Sequence, residues 1–294
     1  MPADEEQPLI VRDRYPPGVP SWVDTEQPDP EAAAGFYGGL FGWEFSDQMP
    51  VGSLGRYFLA RLRGLDVAAV GSQRDGAALP ALWHTYVAVD SADAAAARVR
   101  RAGGGVLREP FDLLDAGRMG VFSDSFGAEF RVWEAGRRPG AQLVNAPSTW
   151  NWSTLNTPDP EGSMAFYNTV FGWEAATVGP GATMMRLPGY AEFLETLDPG
   201  LRSRHAHAGV PEGFSDAVAW MAPMTEEQLP AGVGPHWGVT FAVDDADAVA
   251  DRAIRLGGRV EVQPFDAWMV RVAVLRDPQG AAFTVNRYDP GRAG

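Results

Sequence analysis

Acid–base or metal chemistry in this chain has to start from its four histidines, because it has no cysteine and all 24 of its basic residues are arginine. Without those side chains there are no disulfides, thiolate nucleophiles or thiolate metal sites, and no Schiff-base or Walker lysine. His84 has the ordinary pKa nearest neutrality, and the acids Asp24 and Glu134 stand beside it as candidates for general acid–base work. Asp112 and Asp266 recur in the same Pro-Phe-Asp word, which suits a hairpin turn as well as a site. His205 and His207, in RSRHAHAG, would make a three-imidazole zinc site with His236 if the three converged. Two solvated loop histidines and one at a strand start is the simpler reading.

Ten tryptophans form a second theme. Trp22, Trp83, Trp152, Trp220 and Trp237, with Tyr190 and Phe193, would receive a flat or apolar guest by stacking and burial if they line a concave surface. Core packing is the alternative, and it is the preferred reading for Trp43 and Trp173. Arg271 and its counterpart Arg118 would hold an anionic group or, more simply, a surface ion pair.

The chain has 294 residues, 45% hydrophobic and 21% charged, enough for two domains with full cores. A net charge of −14 argues against nucleic acid or an anionic membrane as partner, since phosphate binding needs basic surface. No apolar run reaches the length of a membrane span. Residues 1–17 are assigned to a flexible leader whose opening, MPADEEQP, lacks the basic start and apolar run of a signal peptide. The expected location is the cytoplasm.

The elements that position these residues come twice. DPEAAAGFYGGLFGWEFSD (29–47) returns 130 residues later as DPEGSMAFYNTVFGWEAAT (159–177). Further on, VAVDSADA (87–94) matches FAVDDADA (241–248) at an offset of 154, so the second copy carries about 24 extra residues. Self-similarity of this kind marks a duplicated unit. Each copy divides again: a short strand, an Asp/Ser/Pro turn, a helix and three β-rich runs, giving the order βαβββ four times. The predicted fold is α+β, with modules at 18–140 and 148–290. The extra segment, near 189–212, repeats Tyr190, Phe193, Leu194 and Leu197 at helical steps; it is either a lid, which would make the second module the working site and the first mainly scaffold, or a brace.

The words TPDPEGSMAFYNTVFGWE, VAVDSADAAAARVRRAGG and LRDPQGAAFTV resemble the vicinal oxygen chelate superfamily, which includes glyoxalase I, bleomycin-resistance proteins and extradiol dioxygenases. The segment around PGYAEFLETLDPGLRSRHAHAG looks like that of two-module actinobacterial members labelled hydroxylases or glyoxalase-like proteins. The resemblance implies curved mixed sheets forming cups, and one divalent metal held by His, Glu or Gln on the concave face. It places those ligands at Trp22 or Trp152, at His84 or Gly238, at Arg131 or Thr284, and on the strands DVAAVGS and DAVAWMA. Only His84 is a metal-binding side chain.

The expectation is therefore a metal-independent, cofactor-free protein that binds, or binds and converts, an aromatic or apolar small metabolite in a tryptophan-lined cup. A metal-dependent lyase or dioxygenase and a non-catalytic interaction module are the alternatives. In one chain the two modules reproduce the pairing that single-module relatives reach by dimerising, so a monomer suffices; a homodimer stays open.

Overall fold

The word Asp-Pro-Glu starts a helix at both of its occurrences for a physical reason. In the computed structural model, which describes residues 10–73, 80–178, 182–224 and 233–289, the Asp29 carboxylate accepts from the Ala32 N–H at 2.9 Å and Asp159 from Gly162 at 3.0 Å. Each satisfies an orphan donor of the first turn. Pro30 and Pro160 follow where an N–H would have no partner in any case. Ser91 and Asp245 cap the other two unit-opening helices in the same way.

The first unit is β1 (Pro20–Gln27), α1 (Pro30–Phe41), β2 (Glu44–Asp47), β3 (Tyr57–Leu62) and β4 (Leu65–Ser72). The second is β5 (Leu82–Ala88), α2 (Ala92–Arg101), β6 (Gly105–Leu113), β7 (Gly117–Ser123) and β8 (Glu129–Ala135). The third runs β9 (Thr149–Thr157), α3 (Pro160–Phe171), β10 (Glu174–Thr177) and β11 (Thr183–Arg186). It then adds two short helices, α4 (Tyr190–Leu197) and α5 (Leu201–His207), before β12 (Ala217–Pro223). The fourth is β13 (His236–Ala242), α6 (Ala246–Arg255), β14 (Arg259–Ala267), β15 (Val270–Arg276) and β16 (Ala282–Tyr288).

Each module forms one eight-stranded mixed sheet. The orders are β2-β3-β4-β1-β5-β8-β7-β6 and β10-β11-β12-β9-β13-β16-β15-β14. The two units of a module meet at their first strands, β1 antiparallel to β5 and β9 to β13. These open sheets curve into cups, and the fold is the α+β arrangement of four βαβββ units. Among the described residues no helix is long and apolar enough to cross a membrane.

The helices do not stay with their own sheets. Helix α1 packs its Phe36, Tyr37, Leu40 and Phe41 into a core that contains Phe241, Leu275 and Phe283 of the other module. In return α3 places Phe166 and Tyr167 against Phe122 and Phe130. Arg252 donates to the Leu40 carbonyl at 3.0 Å, and Arg98 to that of Val170 at 2.9 Å. Each core thus draws residues from both repeats. Close approach is what the second glycine of each Gly-Gly pair permits. A Cβ on Gly104 would stand 2.7 Å from the Phe166 ring and one on Gly258 3.0 Å from Phe36.

At the heart of each shared core lies a polar chain. Trp83 Nε1–H donates to the Tyr37 hydroxyl at 3.0 Å, and Tyr37 donates to Asp277 at 2.9 Å. Gln27 also donates to Asp277, whose other oxygen accepts from the backbone of Gln279 and Ala281. The copy runs from Trp237 through Tyr167 to Asp124, at 2.9 and 3.2 Å. Burial and the adjacent carboxylate push both tyrosines well above the ordinary phenol pKa. These chains correct the assignment of Trp83 and Trp237 to a ligand site: both indoles point to the helix side of the sheet and close an inter-module seam.

The leader assignment also changes. Residues 10–17 lie against the body, with the Arg12 N–H bonded to the Gln142 carbonyl at 2.8 Å and the Tyr15 hydroxyl to that of Ala141 at 2.6 Å. Residues 1–9 of that leader lie outside the described residues.

Replacing Asp277 by Ala strands a buried phenol, an amide and two backbone donors. Urea unfolding of Asp277→Ala is expected to show a loss of about 3 kcal/mol or more, from about 1–3 kcal/mol per unsatisfied buried group.

Candidate ligand-binding cup

Side chains alternate between the two faces of a strand, so each module has a set of concave-facing positions that can be compared across the repeat. In the first module β1 presents Trp22, Asp24 and Glu26, β5 presents His84 and Tyr86, and β8 presents Glu129, Arg131 and Trp133. The matching positions of the second module hold Trp152, Thr154 and Asn156, then Gly238 and Thr240, then Ala282, Thr284 and Asn286. Apart from the shared tryptophan, each bulky or charged residue has become small and neutral.

The first cup is filled by its own charges. Arg131 donates to Asp24 at 3.3 Å, to Glu26 at 2.7 Å and to the Tyr86 hydroxyl at 2.9 Å. His84 Nδ1 lies 3.2 Å from Glu129. Tyr86 and Tyr57 donate to the second oxygen of Asp24 at 2.6 and 3.1 Å, and Trp22 Nε1–H donates to Tyr57 at 3.1 Å. Asp24, Arg131 and His84 are 2%, 5% and 9% exposed. Burial raises the Asp24 pKa, against the pull of Arg131. For Glu129 burial works in the same direction, but the bonds from His84 and Arg131 outweigh it and the carboxyl titrates below its ordinary range. The structure brings Asp24 and His84 together as cross-strand neighbours, and the carboxylates, phenols and imidazole there are already paired with one another or with Arg131, whose buried Nε–H is left without a partner. This cup is a plug.

Glu134, the third proposed catalytic residue, is elsewhere. Its carboxylate accepts from the Ala92 N–H at 2.9 Å and so stabilises the start of α2. Arg271 is also displaced from its proposed role: it bridges Asp247 and Asp266 on the outside of the molecule, as Arg118 bridges Asp93 and Asp112. Both are exposed ion pairs joining a helix to a hairpin. Phe193 stacks on Tyr190 and lies under Arg14, and it does not line the cavity described next.

The second cup is open inside. Its concave face borders a cavity of about 1050 Å³. Helices α4 and α5 and the 3-10 turn Phe214–Asp216 roof it, the segment 143–147 between the modules walls one side, and residues 10–15 strap across it. The Asp216 carboxylate accepts from the Ala191 N–H at 2.7 Å and ties α4 to that turn. Trp152 and Trp220 meet edge to face at 5.8 Å, with Phe214 5.8 Å from Trp152 and His205 5.2 Å from Phe214. Tyr190 is also in the lining. Two lining residues carry unsatisfied buried atoms, the indole N–H of Trp150 and the amide oxygen of Asn151. His205 anchors Nδ1 on the Ser215 hydroxyl at 2.8 Å. Burial, then the neighbouring Arg204, lowers its pKa, so the imidazole is neutral at neutral pH.

Comparison with known proteins gives the same outline. The family described as Glyoxalase/Bleomycin resistance protein/Dioxygenase superfamily matches residues 26–132, and the Glyoxalase-like domain family matches 152–286. CFP32 of Mycobacterium tuberculosis is 39% identical over 282 residues, 95% of this chain and 98% of that protein. The chain belongs to the glyoxalase/bleomycin resistance protein/dioxygenase superfamily. Another superfamily relative, the anthracycline biosynthesis protein DnrV of Streptomyces peucetius, is 37% identical over 92% of this chain and 94% of its own. In fold, this glyoxalase-superfamily chain is similar to the Mn(II)-bound glyoxalase from Novosphingobium aromaticivorans, with a TM-score of 0.59 at 17% identity over 95% of this chain and 86% of that one.

The metal that the superfamily implies does not fit the residues present. In the second cup the ligand positions hold an indole, a hydrogen and a hydroxyl, at Trp152, Gly238 and Thr284. In the first, the fourth position holds the Arg131 cation among the carboxylates. Among the described residues no three His, Asp or Glu side chains stand where they could share an ion, so His205, His207 and His236 do not form the zinc site considered from sequence. His207 and His236 bond instead to the carbonyls of Ser203 and Gly234.

Sequence reasoning passed over Arg12, Asn151 and the Arg131–Asp24 pair. For the pair a signal existed: carrying the offsets through every concave position shows Asp24 and Arg131 neutralised together, as Thr154 and Thr284.

Arg131→Ala leaves a buried Asp24 uncompensated and is expected to destabilise the fold by about 3–5 kcal/mol in denaturant titration. For His205 the unfolded chain takes a proton at higher pH than the folded one, so acid favours unfolding. Wild type is expected to lose thermal stability between about pH 7.5 and about pH 5.5, across the ordinary histidine pKa. His205→Asn should lose less over the same interval.

Proposed function

We propose that this protein binds a flat aromatic small molecule in the roofed second cup without a metal ion, and that the first cup is its scaffold. The observation that carries the reading is the contrast between the two cups: equivalent positions are packed solid in one and emptied in the other, and the emptied one is covered by the only large insertion between the repeats. Hollowing a cup forfeits packing, a loss that a guest of matching shape restores. Edge-to-face Trp152 and Trp220, with Phe214 above them, offer the large apolar faces that such a guest needs.

The size supports a multi-ring ligand. Small-molecule sites span about 300–1,000 Å³, and this cavity lies at the top of that range. A relative is named for anthracycline biosynthesis, and an anthracycline is a fused-ring aromatic of the shape the cup would accept. For chemistry on the bound molecule, the neutral imidazole of His205 is the group through which a proton would move. Its Nδ1 is engaged by Ser215, which leaves Nε2 for the ligand.

The test is titration of the protein's tryptophan fluorescence with 1,8-dihydroxyanthraquinone, checked by calorimetry. Saturable binding is expected, weakened at least about tenfold, or about 1.4 kcal/mol, in Trp152→Ala and in Gly238→Phe. A Cβ at Gly238 meets nothing closer than 3.6 Å, so that variant is expected to fold and fill the cup. Absence of saturable binding, or unchanged affinity in both variants, would sink the aromatic-cup reading. Near-stoichiometric iron, manganese, nickel or zinc in native protein would overturn its metal-free part.

A further inference from the structure

The cavity is electropositive in a strongly acidic protein. Among the described residues its lining includes Arg12, Arg63 and Arg204 but only one acidic residue, Asp198, and Asp198 is already paired with Arg204. The whole chain carries a net charge of −14, so chance composition would give the cavity wall more carboxylates than guanidinium groups.

Arg12 is the most constrained of these cations. It is 6% exposed, and among the described residues no carboxylate is paired with it. One guanidinium nitrogen donates to the Tyr190 hydroxyl at 2.6 Å, and the group lies 5.4 Å from the Tyr15 ring and 5.9 Å from that of Tyr190. A guanidinium carries five N–H donors and is never neutral in a protein. Burying one without an anion is unfavourable, and the first cup shows how this chain treats a buried arginine that serves structure: Arg131 is surrounded by Asp24, Glu26 and Glu129. Arg12 has no such cage. It reaches the cavity from the strap at residues 10–15 and joins that strap to the roof helix α4 through Tyr190.

We propose that Arg12 is the anchor for an anionic oxygen on the ligand, a ring carboxylate or an ionised phenol, so that the second cup selects acidic aromatic compounds over neutral ones. The proposal rests on the aromatic-cup reading above and adds the charge of the guest. The ligand's anion completes the pairing that the protein leaves open, and planar, forked donors favour a carboxylate bound through both oxygens. Arg63, exposed on the turn between β3 and β4, adds to the positive potential at the cavity wall and draws anions inward.

The experiment compares anthraquinone-2-carboxylate with its carboxamide, equal in shape and different in charge, by calorimetry on the full chain and on Arg12→Met. Wild type is expected to bind the carboxylate about tenfold or more tightly than the carboxamide, and Arg12→Met to erase the preference while still binding the carboxamide. Thermal melting of ligand-free Arg12→Met is expected at or above the wild-type temperature, because the variant removes an uncompensated buried charge. A clearly lower melting temperature, with the carboxylate preference kept in Arg12→Lys and Arg12→Met alike, would make Arg12 structural and overturn the proposal. Equal wild-type affinity for both probes would overturn it and leave the aromatic cup standing. No binding of either probe would overturn both.

Discussion

Everything else in this molecule depends on how the repeats hold each other, and that reduces to two buried aspartates. Asp277 and Asp124 each lie at a Gly-containing turn before the last strand of a module, with one oxygen bound to the turn's own backbone. The other oxygen reaches a tyrosine on the opening helix of the other module. A lone buried carboxylate is strongly unfavourable, so the tyrosine, the indole behind it and the backbone donors must all be in place together. Each module therefore completes the other's core. The repeats visible in sequence are not independent folding units.

That interlock explains why the cups could diverge. The structural load sits on the helix side of both sheets, and the concave faces contribute little to holding the modules together. One face is a charge-filled plug around Arg131, which adds buried polar bonds to its half of the structure. The other has small, neutral residues at the matching positions, and the insertion lies over the space. On the proposed reading, stability and binding sit in different copies of one duplicated scaffold, which eases the usual conflict between a well-packed interior and an open site.

Much of this was legible in the sequence because it is local or periodic. The caps at Asp29 and Asp159, the Gly-Gly helix ends and the βαβββ order follow from spacing alone, and the likeness of VAVDSADA to FAVDDADA exposes the repeat. Several site assignments went astray for an equally local reason: they ignored the two-residue alternation of a strand. Trp83 neighbours His84, and Trp237 neighbours Gly238, so each must face away from the cup if its neighbour faces into it. Arg271 fails by the same rule, lying between the cavity-lining Val270 and Val272, and Glu134 follows a concave-facing Trp133. Other features had no local signal. Arg131 meets Asp24 across 107 residues and Arg12 meets Tyr190 across 178, and nothing in either neighbourhood states the pairing.

The insertion and the N-terminal strap are best understood as one device. Helix α4 presents Tyr190 to the cavity and stacks Phe193 behind it, while Arg14 covers Phe193 and Arg12 holds the Tyr190 hydroxyl. Strap and roof thus touch through two aromatic rings and two guanidinium groups, with no backbone pairing between them among the described bonds. Such a junction is held by a few side chains and not by sheet pairing. Among the described residues the first cup has no counterpart to α4 and α5, and its interior is filled by its own side chains. The emptied concave positions and the roofing insertion occur in the same module, and the proposal of a guest in the second cup rests on that coincidence.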